Sequence, residues 1–476
     1  MQARRLGWIS VALLIAATLV EVHVARHPGN AAVPSALGSG RTGLSPGVTY
    51  MLMACAALLG GTSVACGLRA MRSGWHPSPW RILCLGLIAA ACLAAANPVG
   101  TADIGSYAAY GRMEAQGIDS YVTSPRAASA GPLRDFDISE QFYSAAEDPW
   151  RATPNVYGPV GTWIFKQAAQ HGSHGVRDTM MWLHWMAFSA FALTGLLLLG
   201  CVSGPEARTR AAMLWTANPL LALQLVGGAH LDVFVAFFVV VSLACARKPL
   251  LRGLSAALAV ATKATAGWAA LGLVLGKPRR GRMRRLMTFS VSVAVLYETA
   301  SGHVFDQAHR ASRYVSAGTP WRWVASLLEV AFSHSVARVL VVAAALAATM
   351  ALATAIAVAF SRWPSAGKAT PQRAARSALV PMLAWTLVAP YQLPWYDAVV
   401  WALLAASVAM GVDWLILLHT MVLTLAYLPG RVLDLGQVPH DVQVALRSGL
   451  APVVVGFCAM ACVWSLKRPV VDRSPG

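Results

Sequence analysis

The chain has 476 residues, of which 57% are hydrophobic and only 12% are charged, about half the charged fraction of a soluble domain. This composition excludes a soluble globular enzyme and implies a polytopic membrane protein. A formal net charge of +18 invites a nucleic-acid reading, but the basic residues are laid out as a membrane-orientation signal rather than as a patch.

Apolar runs fall at 6–24, 48–68, 80–98, 179–202, 211–226, 231–246, 250–262, 264–276, 286–301, 335–360, 377–391, 396–411, 412–428 and 449–466. A bilayer core takes about 20 apolar residues, so several of these runs are too short to cross alone. Short pairs read as broken helices or half-helices within a protein-lined interior. The expected fold is an all-α polytopic membrane protein of about 12–14 transmembrane segments, some short or broken, with a long outer loop carrying interfacial helices.

With the N-terminus inside, the cytoplasmic segments hold 23 of the 38 Lys and Arg, against only Glu206, Asp413 and Asp472 among the 20 acids. That asymmetry is the positive-inside pattern, and it places both termini on the cytoplasmic side; the membrane is expected to be the plasma membrane. The pattern requires 250–276 to run up and back as a hairpin. A single crossing would put the block KPRRGRMRR at 277–285 outside. The hairpin apex, ATKATAG at 261–267, then carries Lys263 into the membrane region. The eight cysteines all lie in apolar runs, with neither a disulfide framework nor metal-ligand spacing. Arg4 and Arg5 before the first run resemble a signal peptide, but the many later spans favour an uncleaved signal-anchor. The runs group into two N-terminal helices over 1–79, a central module over 80–301 and a C-terminal membrane module over 302–476.

Three sizeable polar segments lie outside, at 25–47, 99–178 and 302–334, with a smaller one at 429–448. The second begins in NPVGTADIGSYAAYGRMEAQGIDSY, 97–121. Within it Ile104, Ala108, Gly111, Ala115 and Ile118 recur on one helical face, as in a short helix lying in the interface. GPVGTWIFKQAAQ at 158–170 is a second such candidate. The acidic stretch between them contains a D-x-D pair, Asp135 and Asp137, a spacing that arises easily by chance in an acidic loop.

Asp103 has two readings. A carboxylate half in the interface has its proton affinity raised by desolvation, toward the range of a general base; an Asp ahead of a helix is also a good cap. HLD at 230–232 sits between two short apolar runs, which places His230 and Asp232 at the outer turn of a helical hairpin. The pair reads either as a site or as a cap beside an interfacial histidine. Lys263 needs an anion, either a structural partner such as Asp232 or Glu298 or the phosphate of a ligand. In YQLPWYDAVVW at 391–401, Trp395 and Tyr396 suit an aromatic belt and equally suit stacking on sugars. Tyr107, one helical turn after Asp103, joins them as a substrate-binding candidate. Chemistry outside the cell has no nucleotide sugar to draw on, so an enzyme there needs an activated donor carried by the membrane.

The run DIGSYAAYGR with GIDSY after it, followed by TPNVYGPVGTW, resembles the first outer loop of C-type (GT-C) membrane glycosyltransferases. NPLLALQLVGGAHLD, ATKATAG and LPWYDAVVW resemble more narrowly the polyprenol-phosphomannose-dependent α-1,6-mannosyltransferases of actinobacterial envelope synthesis. The blocks run in family order from about 97 to 401, with departures at Gly105, Ser120 and Leu231. The resemblance implies polyprenyl-phosphate mannose as donor and an envelope glycan or glycolipid, such as a lipomannan, as acceptor. It implies an inverting transfer on the outer side, with no nucleic-acid partner and the part of a divalent metal left open. By the same resemblance Asp103 is the catalytic base, His230 and Asp232 form the second outer motif, and Lys263 faces the donor phosphate. A lipid-linked sugar flippase is the competing class, since it would also show broken helices and buried charge. The long outer loop argues against it.

Overall fold

A computed structural model of the chain describes residues 1–27, 33, 34, 37, 43–130, 146, 150–172, 175–277, 279–311, 313–362, 370–430 and 437–466. Asp135 and Asp137 lie outside these residues. The described residues form helices joined by turns, with no strand among them, so the fold is the all-α polytopic one expected.

In chain order the helices that matter here are α1 (Gln2–Ala25), α2 (Pro46–Arg72), α3 (Pro79–Ala94), α4 (Asp103–Ala115), α5 (Pro159–His171) and α6 (Val176–Cys201). They continue with α7 (Pro219–Gly227), α8 (Asp232–Ala244), α9 (Pro249–Thr262), α10 (Gly267–Leu275), α11 (Arg282–Glu298) and α12 (His334–Ser361). The last four are α13 (Thr370–Val388), α14 (Ala398–Ala405), α15 (Val412–Tyr427) and α16 (Gln437–Ser465). Proline opens α2, α3, α5, α7 and α9, a position where its fixed φ suits the helix and its missing N–H is not needed. Ser45 and Asn218 add side-chain caps ahead of α2 and α7.

By length and composition α1, α2, α6, α12 and α16 can each cross a membrane, and α7 with α8 makes a sixth if counted as one broken span. Most remaining apolar runs form helices too short to cross alone, including α3, α9 and α15. Two short pairs turn back on themselves. Between α7 and α8 the helix direction bends by 113° across residues 228–231. The α9–α10 pair is a hairpin whose feet are tied together, because the Arg252 guanidinium donates to the Lys277 carbonyl at 3.3 Å. Arg285 donates to the carbonyls of Val274 and Gly276 at 3.0 and 3.1 Å and so caps the end of α10. Lys263 is left at the opposite end, in the turn.

The segment that delivers Asp103 is held by backbone bonds from two distant parts of the chain. Val99 N–H donates to the Gly227 carbonyl at 2.8 Å and Ala102 N–H to the Gly430 carbonyl at 3.2 Å. Gly430 has φ +84°, and a Cβ there would overlap the carbonyl oxygen of Gly100. Both the backbone angle and the close approach therefore require glycine. Gly430→Ala is expected to cost at least about 1 kcal/mol of stability and to displace the backbone ahead of Asp103. Thermal unfolding in detergent reads the loss, and a wild-type midpoint would show the contact to be slack.

Candidate active site

α4 starts at Asp103 itself. The helix cap comes from Thr101, whose hydroxyl accepts from the Asp103 N–H at 3.1 Å, while Ala102 in the preceding position makes no side-chain cap. The capping role open to Asp103 from the sequence is therefore filled by another residue, and its carboxylate points elsewhere. The Asp103 side chain is 19% exposed, with one oxygen 3.6 Å from Nδ1 of His230. That is just beyond a hydrogen bond. Burial pushes the Asp103 carboxyl up to about 6; nearby Lys263 opposes the shift and Asp232 adds to it.

His230 lies in the break between α7 and α8 and is fully buried. Its ring stacks on Trp395 with centroids 3.5 Å apart and planes 14° from parallel. Among the described residues neither of its ring nitrogens has a hydrogen-bond partner. A buried, orphaned polar group is costly and uncommon, and here it sits beside a partly exposed carboxylate.

Asp232 opens α8 and pairs with Lys263 from the facing hairpin turn, Nζ lying 2.9 and 2.8 Å from the two carboxylate oxygens. Of the partners open to Lys263, Asp232 is the one it finds. The ammonium also sits 3.7 Å from the centroid of the Tyr396 ring, a cation–π contact. Two hairpin turns and the 391–397 segment thus meet at one point.

Tyr107 is one turn along α4 from Asp103 and 1% exposed. Its ring stacks on Phe165 of α5 at 4.6 Å and 9°, and the Tyr157 hydroxyl donates to its own at 3.4 Å. Glycines permit this packing. A Cβ at Gly111 would strike the Phe165 carbonyl, and one at Gly158 the Ala261 carbonyl, so α4, α5 and the Lys263 turn approach backbone to backbone. All seven sequence candidates, Asp103, Tyr107, His230, Asp232, Lys263, Trp395 and Tyr396, converge on this one region. Among the described residues no three His, Cys, Asp or Glu side chains gather as a metal-binding group.

What sequence reading passed over is the support behind Trp395 and Tyr396. Asp397 accepts from Thr420 at 2.6 Å and pairs with Nδ1 of His419 at 2.8 Å. The other His419 nitrogen meets Gln392 at 2.9 Å, and Gln392 in turn donates to the Ala389 carbonyl at 2.8 Å. All four side chains are buried, so this network pins both ends of the aromatic segment to α15. Its sequence signals are Asp397 in the aromatic segment and the polar pair His419–Thr420 in the middle of a mostly apolar helix. Ser120 is a second such support. Its hydroxyl donates to Glu114 at 2.7 Å and accepts from Asn155 at 3.1 Å, joining the two halves of the outer loop.

Comparison with known proteins bears on this arrangement. The family model described as "Alpha-(1->6)-mannopyranosyltransferase, N-terminal domain" matches residues 4–277. The chain is 25% identical over 244 residues to Alpha-(1->6)-mannopyranosyltransferase A of Corynebacterium glutamicum, which covers 49% of this chain and 48% of that protein. It is 29% identical over 152 residues to Alpha-(1->6)-mannopyranosyltransferase B of the same organism, covering 31% and 23% respectively. The chain therefore aligns with about half, or less, of the length of these curated relatives. No solved structure matches it. The family match includes α4 with Asp103, the break with His230 and Asp232, and the Lys263 turn, while Trp395 and Tyr396 lie beyond it. More than half of the chain is matched, and it belongs to the α-(1→6)-mannopyranosyltransferase A and B family.

Proposed function

We propose that the protein is an integral-membrane mannosyltransferase that moves mannose from polyprenyl-phosphate mannose to a glycan or glycolipid acceptor on the extracytoplasmic side of the plasma membrane. The observation that carries this reading is the convergence of one ionisable carboxylate, an orphaned histidine and a buried lysine–aspartate pair at the turns of two membrane hairpins. A donor held by a lipid tail reaches such a place from the bilayer. The asymmetry of Lys and Arg in the sequence supports placing these turns outside.

In this mechanism Asp103 takes the proton of the acceptor hydroxyl as its oxygen attacks the anomeric carbon. The bond from that carbon to the phosphate oxygen breaks, and polyprenyl phosphate leaves with the bonding pair. One displacement converts a β-linked donor into an α-linked product, with a 1→6 linkage by the family likeness. Lys263 offsets the charge that builds on the leaving phosphate, and Asp232 holds that ammonium in place. The free nitrogens of His230 are available to sugar hydroxyls, while Trp395 and Tyr396 provide the aromatic walls of the sugar site.

The test is transfer of labelled mannose in membranes carrying the protein, with polyprenyl-phosphate mannose and with a nucleotide-linked mannose as alternative donors. Transfer from the lipid-linked donor alone is expected; equal use of the nucleotide sugar would overturn the donor assignment. The pH profile provides a further prediction. Asp103 acts as a base only when ionised, and its carboxyl titrates near 6. The ratio kcat/KM should therefore fall about tenfold per pH unit below that point and level off above it. A profile flat across pH 6 would move the base to another group.

A further inference from the structure

Several features outside the catalytic cluster carry nothing further. Arg252 is buried with two unpartnered nitrogens, but its third is taken up by the Lys277 carbonyl and nothing there points to a ligand. The apolar groove between α15 and α16 has nothing to say what covers it. One feature does point to a ligand. A row of aromatic rings leads from the catalytic cluster out across three separate outer segments. Beyond Trp395 and Tyr396, Tyr391 stands 6.1 Å from Tyr396, Tyr314 stands 5.9 Å from Tyr391, and Trp150 stands 5.9 Å from Tyr314, centroid to centroid. Trp150, Tyr314 and Tyr391 are each half-buried, and Tyr391 packs against the core at the inner end of the row.

The row also has a fixed direction relative to Asp103. Tyr110 lies on the same face of α4, two turns further along, and its hydroxyl donates to the Thr153 carbonyl at 2.7 Å. That bond anchors the turn Trp150–Ala152 about 10 Å along the helix from Asp103. The outer segments are joined as well, since Gln307 donates to the Tyr121 carbonyl at 2.9 Å. A simple hydrophobic seam would bury its rings. Here Trp150 and Tyr314 stay half-buried at the outer end, the rings tilted by 49° to 76° to one another, at spacings comparable with the length of one pyranose residue.

We propose that Trp150, Tyr314 and Tyr391 form an acceptor-chain subsite, which binds successive residues of a linear mannoside behind the one whose hydroxyl meets Asp103. The chemistry is that of carbohydrate C–H faces lying on aromatic rings. This inference rests on the glycan acceptor of the proposed function, and it adds that the enzyme measures acceptor length.

The experiment is calorimetric titration of the purified full-length protein with a methyl mannoside and with an α-1,6-linked mannotetraoside, with mannose transfer read separately. The wild type is expected to bind the tetraoside at least tenfold more tightly. Trp150→Ala and Tyr314→Ala should each cut that preference roughly three- to tenfold, and Trp150→Phe should keep most of it. A wild type with equal affinity for both ligands overturns the subsite, as does a preference untouched in both alanine variants. Length-dependent binding without any transfer would leave the subsite standing and remove the transferase reading instead.

Discussion

Asp103→Asn is expected to lower kcat for sugar transfer by about a thousandfold, within the range that a positioned general base contributes, while the protein folds normally. The isosteric amide keeps the volume and loses only the ability to accept a proton. Little structure is at risk, because the cap of α4 comes from Thr101 and the nearest contact of the carboxylate to His230 is longer than a hydrogen bond. Single-turnover transfer in membranes with matched protein levels measures the effect, with thermal unfolding as the folding control. Loss of less than tenfold would remove Asp103 from the reaction. Asp232 would then be the next carboxylate to test, although both of its oxygens are held by Lys263.

Lys263→Met is the second large effect, and its interpretation needs a partner mutation. Both members of the Asp232–Lys263 pair are nearly inaccessible, with side chains 6% and 11% exposed. Removing the ammonium strands a buried carboxylate, at a cost of about 3–5 kcal/mol. A collapse of stability alone would thus say only that the pair is structural. The double variant Asp232→Asn with Lys263→Met removes both charges at once and should recover most of the lost stability. If the ammonium also faces the donor phosphate, the folded double variant still loses activity, chiefly through a raised KM for the lipid-linked donor. A double variant with normal donor kinetics would confine Lys263 to a structural role.

The helices and their pairing were legible because membrane insertion writes them in hydropathy and charge. The block at 277–285 alone demanded that 250–276 fold back, and the Arg252–Lys277 contact shows the fold-back. The candidate cluster was legible where ionisable residues border or interrupt apolar runs, as at Asp103, His230, Asp232 and Lys263, since such placements are expensive. The buttress of Asp397, His419, Gln392 and Thr420 was not. Its members lie in an aromatic segment and a mostly apolar helix, and neither pattern by itself shows that the two meet. Nor does the sequence show that Trp150 and Tyr314, more than 160 residues apart, face each other.

From the sequence alone come the all-α membrane class, the reversal of the short helices and the residue types that can do chemistry, because each follows from local composition and spacing. Tertiary structure alone decides the partners. It gives Lys263 to Asp232 rather than to Glu298, takes the helix cap away from Asp103, and leaves His230 stacked but unbonded. The reason is physical. Burial, ion pairing and orphaned hydrogen-bond groups are properties of contacts between distant segments, set by backbone approaches such as Gly430 to Gly100, and no local pattern records which segments meet.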